Sequence, residues 1–201
     1  MEKPHDPELE NLREKFGKNK KIPEKYEKII LTALSHYREL KDIHIKFVTT
    51  KSYPRPYATR PTRLSVFLPP DKRHYIITIL TKAEPPEKEA LLKNLPEPAQ
   101  VAIIGHEISH VLQFHKMSPA QLIKTIATYS LSSTRREMER EADRLTIEHG
   151  LGEELYLFAV YIRNIPGYTE KRKELNKNYL LPPEIIRYLH SEYTPHVFEK
   201  T

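Results

Sequence analysis

The sequence predicts an α+β chain, with a small sheet of about three strands in its first half and helices packed on that sheet. Three observations carry this. Ile43 to Thr50 alternates apolar and polar residues, many of them β-branched, which is the pattern of a half-buried strand. Arg63 to Leu68 and Tyr75 to Leu80 flank the turn Pro69-Pro70-Asp71-Lys72 and read as a hairpin. Elsewhere apolar residues return every three or four positions, as on one face of a helix. At 201 residues and 38% hydrophobic content, the chain has the length for one domain over 1–201 with a sizeable core. Within it, 1–41 form a helical segment, 42–80 the sheet, 97–149 a pair of site-bearing helices, and 150–201 closing helices.

Composition narrows the function classes. There is no Cys, so neither a disulfide frame nor a thiolate metal site is available. The first residues, MEKPHDPELE, hold no apolar leader core. No run approaches 18 apolar residues, so no membrane span is expected, and the cytoplasm is the default location. A formal charge of +6 is weak for a nucleic-acid binder.

In order, Asp6-Pro7 caps and starts a helix through Phe16. Lys18 to Lys21 is a basic connector. Pro23 opens a helix to about Leu40, and Tyr26, Ile29, Ile30, Ala33, Leu34 and Tyr37 give it an apolar face for backing the sheet. After the strand at 43–50, residues 51–63 (KSYPRPYATRPTR) hold three prolines, which excludes a regular helix or inner strand. This stretch reads as a proline-stiffened loop, with Tyr and Arg that suit either a cleft rim or stacking on nucleic-acid bases. Pro85 to Lys93 is a short helix, and Pro96 to Pro98 breaks the chain before a central helix. Ser118-Pro119 starts a helix to about Leu131. Ser132 or Ser133 caps the next, which Gly150 ends. Helices follow at 153–165, closed by Pro166-Gly167, then at 169–177 and 182–190.

The stretch that everything serves is Val101 to His115, VAIIGHEISHVLQFH. In a helix, residues four apart lie one above the other, so His106 and His110 can aim two imidazoles at one ion. Glu107, turned about 100° from His106, is placed beside that ion as a base. Val101, Ile104, Ile108, Val111 and Leu112 form a core stripe, while Ile103, His106, Glu107, His110 and Phe114 form the site face. Gly105 and Ser109, also four apart, leave room for a close neighbour. By chance alone such a motif arises in roughly one chain in twenty of this composition, so it needs a partner segment.

Arg135 to Arg144, RREMEREADR, is that segment. By composition it is a solvated charged helix; beside the upstream motif it reads otherwise. Glu139 and Asp143 share a face. Glu139 can supply a third ligand, and Asp143 can accept the spare N–H of a metal-bound His.

H-E-x-x-H followed by E-x-x-x-D resembles the gluzincin metallopeptidases. The wording Glu139-Arg-Glu-Ala-Asp143, then Gly150-Leu-Gly152, is similar to the HtpX and CAAX-prenyl-protease-like branch in a small form without a span. The resemblance covers roughly Gln100 to Leu157. It implies a zincin-like fold with a small mixed sheet, one zinc ion on His106, His110 and Glu139, and Asp143 behind the ligands. It also implies a peptide or protein substrate, with 63–68 as the edge strand that binds it. A metzincin pattern fails, because Gln113 and Lys116 stand where Gly and His are required.

The expected activity is therefore zinc-dependent endopeptidase chemistry with Glu107 as general base. His149, Tyr129, Tyr168, His190 and His196 are the candidates for steadying the oxyanion. Two rivals remain: a latent form with His196 or Glu199 of the tail on the metal, and a non-catalytic zinc module whose Tyr/Arg loop binds nucleic acid.

Overall fold

The computed structural model of the chain describes residues 6–192. Its strands are β1 (Lys20–Lys21), β2 (His44–Thr50), β3 (Tyr57–Pro61) and β4 (His74–Leu80). They form one mixed sheet in the order β1-β2-β4-β3. β1 runs parallel to β2 and β2 parallel to β4, while β3 is antiparallel to β4, with Tyr57 opposite Ile79 and Pro61 opposite Tyr75. The helices are α1 (Pro7–Phe16), α2 (Glu27–Ser35), α3 (Glu97–Lys116), α4 (Pro119–Thr128), α5 (Ser132–Thr146), α6 (Gly152–Arg163), α7 (Thr169–Asn178) and α8 (Pro182–Glu192). The α+β expectation holds, with one strand more than expected.

Local signals place several ends. Asp6 accepts from Leu9 N at the start of α1. Ser118 and Gln121 form a reciprocal capping box on α4, satisfying two otherwise orphan N–H groups. Gly150 takes φ +78° inside the turn Ile147–Leu151 that closes α5, a conformation that costs a side-chain-bearing residue. Ser132 and Ser133 do not cap α5, because Leu131 holds the cap position and no side chain bonds there.

The sheet edge differs from the expected one. Residues 63–67 form a short 3-10 turn, and the strand beside β4 is 57–61, inside the proline-rich stretch. The reason lies in Ser65. Its hydroxyl accepts from His74 N at 2.9 Å, taking a donor that a longer ladder would use. Proline density is tolerated because β3 is an outer strand and Pro61 is its last residue, where a missing N–H costs no ladder bond.

The helix expected at 23–40 is interrupted after Ser35. There Tyr37 leaves the helical path and buries its ring against α3. Its hydroxyl donates to Gly105 O at 2.9 Å and lies 2.8 Å from Ser109 Oγ. The small pair on α3 thus meets Tyr37, and a Cβ at Gly105 would also strike the Leu151 side chain; α2 packs closely on α1 and α3, and its Ile30 and Leu34 share a core cluster with Ile45, Phe47 and Ile77 of the sheet. Thr146 Oγ1 sits 3.0 Å from Ser109 Oγ, so α5 joins the same hydroxyl cluster.

α3 is the core of the molecule. Every residue from Val101 to Phe114 is buried, so the helix has no solvent face; α2, α5, α6 and the sheet enclose it. Buried Arg73 holds its last turn, donating to Phe114 O and Met117 O at 2.7 Å each, carbonyls at the helix end, where intrahelical partners run out; Phe114 O also accepts from Met117 N at 3.3 Å. No helix of the described residues is long and apolar enough to cross a membrane.

Candidate metal centre

The side chains of His106 and His110 rise from the middle of α3 and meet Glu139 from α5. Their ligand atoms all lie within 4.8 Å of one another, and all three residues are buried. The outer nitrogen of each ring fixes its orientation. His106 Nδ1 donates to Asp143 Oδ1 at 2.9 Å, and a carboxylate can only accept. His110 Nδ1 meets Gln113 Oε1 at 2.8 Å, while Gln113 Nε2 donates to Met138 O at 2.9 Å, so the amide oxygen is the acceptor here too. Both Nε2 atoms are left with lone pairs. They face the same oxygen, Glu139 Oε2, at 3.2 Å each. With neutral rings, three buried acceptors converge with no donor between them, an arrangement that could hold a metal ion or a proton at its centre.

Without an ion, a proton shared within the trio plays the cation's part. Burial alone would raise the Glu139 carboxyl, but the bonds with His106 and His110 hold it well below the usual carboxylate range. Burial alone would lower His106, but Asp143 and Glu139 together raise it well above an ordinary histidine. The other Glu139 oxygen, Oε1, accepts from Tyr129 at 2.6 Å.

Glu107 stands beside this trio and outside it. Its carboxylate Oε2 lies 2.7 Å from the Thr59 hydroxyl on β3, which is also 2.9 Å from the Glu107 main-chain oxygen. Burial raises the Glu107 carboxyl, partly offset by the two histidines. His106, Glu107 and Asp143 line a cavity of about 470 Å³ that the loop before β3, α6, α7 and the start of α8 complete. Leu155, Phe158, Ile162, Tyr168, Leu175 and Leu180 form its apolar wall.

Of the residues singled out in sequence, His106, Glu107, His110, Glu139 and Asp143 come together. The oxyanion candidates mostly do not. Tyr129 reaches the centre, but its hydroxyl is committed to Glu139. Tyr168 lines the cavity. His149 lies behind α3, stacked on Tyr37 at 4.3 Å between ring centroids, and His190 is not among the lining residues. His196, Glu199 and the tail proposed to block the metal lie outside the described residues. Arg55 lies over Tyr129, its guanidinium 5.6 Å from the ring centroid, while Tyr53, Arg60 and Arg63 of the same stretch are exposed.

Tyr179 was not legible in the sequence. Its ring lies 5.7 Å from that of His106, and it lines the cavity beside Glu107. Burial, with Glu139 next, raises its phenol well above the ordinary tyrosine range, so it stays a donor. Three bonds pin the link that carries it: Arg140 donates to Tyr179 O, Arg163 to Leu180 O, and Leu180 N to Asp143 Oδ2 at 2.8 Å. The same link therefore presents Tyr179 and holds the carboxylate behind His106. Gln113, three residues after His110, had a readable signal, since that spacing places the two side by side on a helix.

Comparison of the chain with protein-family models, curated proteins and solved structures finds no match.

Proposed function

We propose that the chain is a zinc-dependent endopeptidase of the gluzincin kind, with a zincin-like fold. The observation that carries this is the convergence of two imidazole nitrogens and one carboxylate oxygen beside a cavity that His106 and Glu107 line. Zinc bonds of about 2.0–2.1 Å spread tetrahedrally put neighbouring ligand atoms about 3.3 Å apart. Glu139 Oε2 is 3.2 Å from each ring nitrogen, which matches two of those separations, and all three ligand atoms lie within 4.8 Å of one another, so His106, His110 and Glu139 could hold such an ion. Zinc held there supplies Lewis acidity, bringing the pKa of its water to about 7 and polarising a substrate carbonyl.

The chain's own groups supply the rest. Asp143 and Gln113 fix the two rings with Nε2 inward. Glu107 takes the proton of the attacking water and hands it to the leaving amine, and its burial-raised carboxyl is a stronger base than an exposed one. Thr59 aims that carboxylate. Tyr179, still protonated, donates to the oxygen that gains charge. β3, the outer strand beside Glu107, offers main-chain groups to an extended polypeptide, and the apolar wall suits a bulky apolar side chain next to the scissile bond.

The test is hydrolysis of an unfolded protein such as casein, with and without phenanthroline. We expect cleavage that the chelator stops and added zinc restores. Cleavage untouched by chelation, or none from protein carrying one zinc per chain, would sink the reading. Separately, Tyr179→Phe should lower kcat by about 10²–10³ while metal content stays unchanged; an undiminished kcat would move the oxyanion donor elsewhere.

A further inference from the structure

Of the ten large hydrophobic residues most exposed among those described, six come from two neighbouring segments: Leu64 80%, Phe67 67%, Leu68 38%, Ile123 42%, Ile126 46% and Leu131 55%. The first three sit on or just after the turn Arg63–Phe67, and the others on α4 or just beyond it, where the two segments pack together. α4 buries only Leu122, so Ile123 and Ile126 lie on a side of the helix that no other element covers. Isolated exposed apolar residues are ordinary, whereas a cluster of this kind marks an interaction surface.

Charge identifies the occupant. Residues 43–83 hold eight Lys or Arg against Asp71 alone, and residues 108–136 hold four with no Asp or Glu. These two stretches exceed the whole chain's +6, so the remainder is net acidic. Arg60, Arg63, Lys72, Lys116 and Lys124 are exposed and lie in or next to the segments that carry the apolar cluster. An apolar centre with a cationic collar fits a surface that is apolar within and anionic at its boundary.

We propose that this face docks the protein peripherally on an anionic lipid bilayer. Leu64 and Phe67 would enter the acyl boundary, and the collar would meet the headgroups. Other occupants fit less well. Leu and Ile give nucleic-acid bases no ring to stack on. A twofold dimer through the same patch would set the two basic collars against each other. The patch adjoins β3 on one side and, through Tyr129, the ligand Glu139 on the other, so docking would hold the cavity close to the bilayer. The proposal does not depend on peptidase activity.

The experiment is flotation of the full chain with vesicles of phosphatidylcholine, with and without phosphatidylglycerol, at low and high salt. Binding is expected only to the anionic vesicles and should weaken as salt rises. Leu64→Glu with Phe67→Glu should reduce partitioning about tenfold or more, and Arg60→Glu with Lys124→Glu about tenfold. All four side chains are exposed, so both variants should keep the parent's circular dichroism melt and metal content. Three results would each overturn the proposal: no binding to anionic vesicles at low salt, equal binding by the variants, or a solution dimer that the same substitutions dissolve without any vesicle binding. Binding to DNA or RNA in place of vesicles would overturn it as well.

Discussion

Glu107→Gln is expected to keep its metal and lose its turnover, by about 10³–10⁴ in kcat, equivalent to about 4–5.5 kcal/mol of barrier. The carboxylate belongs to no part of the ligand trio, which is made of His106, His110 and Glu139. It accepts a hydrogen bond from Thr59, and a glutamine oxygen can accept the same bond. The substitution therefore removes a proton acceptor and little else. Stability should not fall. With a folded pKa raised by burial, the carboxyl binds its proton more tightly in the fold than in the unfolded chain. Its ionisation then counts against the fold as pH rises from the ordinary carboxylate range through that raised value. Gln at the same place carries no such charge, so the variant should melt no lower than the parent at neutral pH. Metal analysis, a melt and casein cleavage check all three. Turnover within tenfold of the parent would remove Glu107 from the role of base.

What the sequence made legible follows from how local each cause is. The four-residue spacing of His106 and His110 is helix geometry, needing only that the segment be helical. Glu139 and Asp143 were readable for the same reason, once a second helix was assumed to face the first. Tyr37 was only half legible. Gly105 and Ser109 announced a close neighbour, but nothing local says that a tyrosine 68 residues upstream and Leu151 share the space. Thr59 and Tyr179 were hidden for a different reason. Thr59 sits among prolines that mask a strand, and that strand exists because an outer position needs bonds on one side only. Tyr179 is presented by a link whose position is set by Arg140, Arg163 and Asp143, three groups on two other helices. The turn at 63–67 misled because Leu64, Val66 and Leu68 alternate as a strand would, while a single serine hydroxyl decides the backbone's course.

Glu139→Ala is expected to empty the site and to make the protein indifferent to chelators. The parent, saturated at a thousand times its dissociation constant, should gain about 4 kcal/mol from the metal. In a domain of this size that corresponds to a melting temperature about 8–16 °C higher. Chelation should remove that margin from the parent and nothing from the variant, which also strands the Tyr129 hydroxyl that Glu139 accepts. Tyr129→Phe should behave as an intermediate case, with metal affinity about 10–100-fold lower, because Glu139 survives but swings more freely. A rival account is sharp enough to be separated. The converging acceptors need a cation, and protons on the histidines would serve. Under that account His106, raised well above its ordinary value, stabilises the fold fully below pH about 6.5 and ceases to as pH climbs through the raised value. Glu139, held low, contributes above its ordinary range and stops contributing as pH falls through the depressed value. A proton-held trio would thus weaken in alkali and ignore chelators. A metal-held trio does the reverse, since loss of imidazole protons only favours the ion. A parent without bound metal, whose melt is unchanged by chelator and falls in alkali, would show that the trio is an ion-pair cluster and would take the peptidase reading down with it.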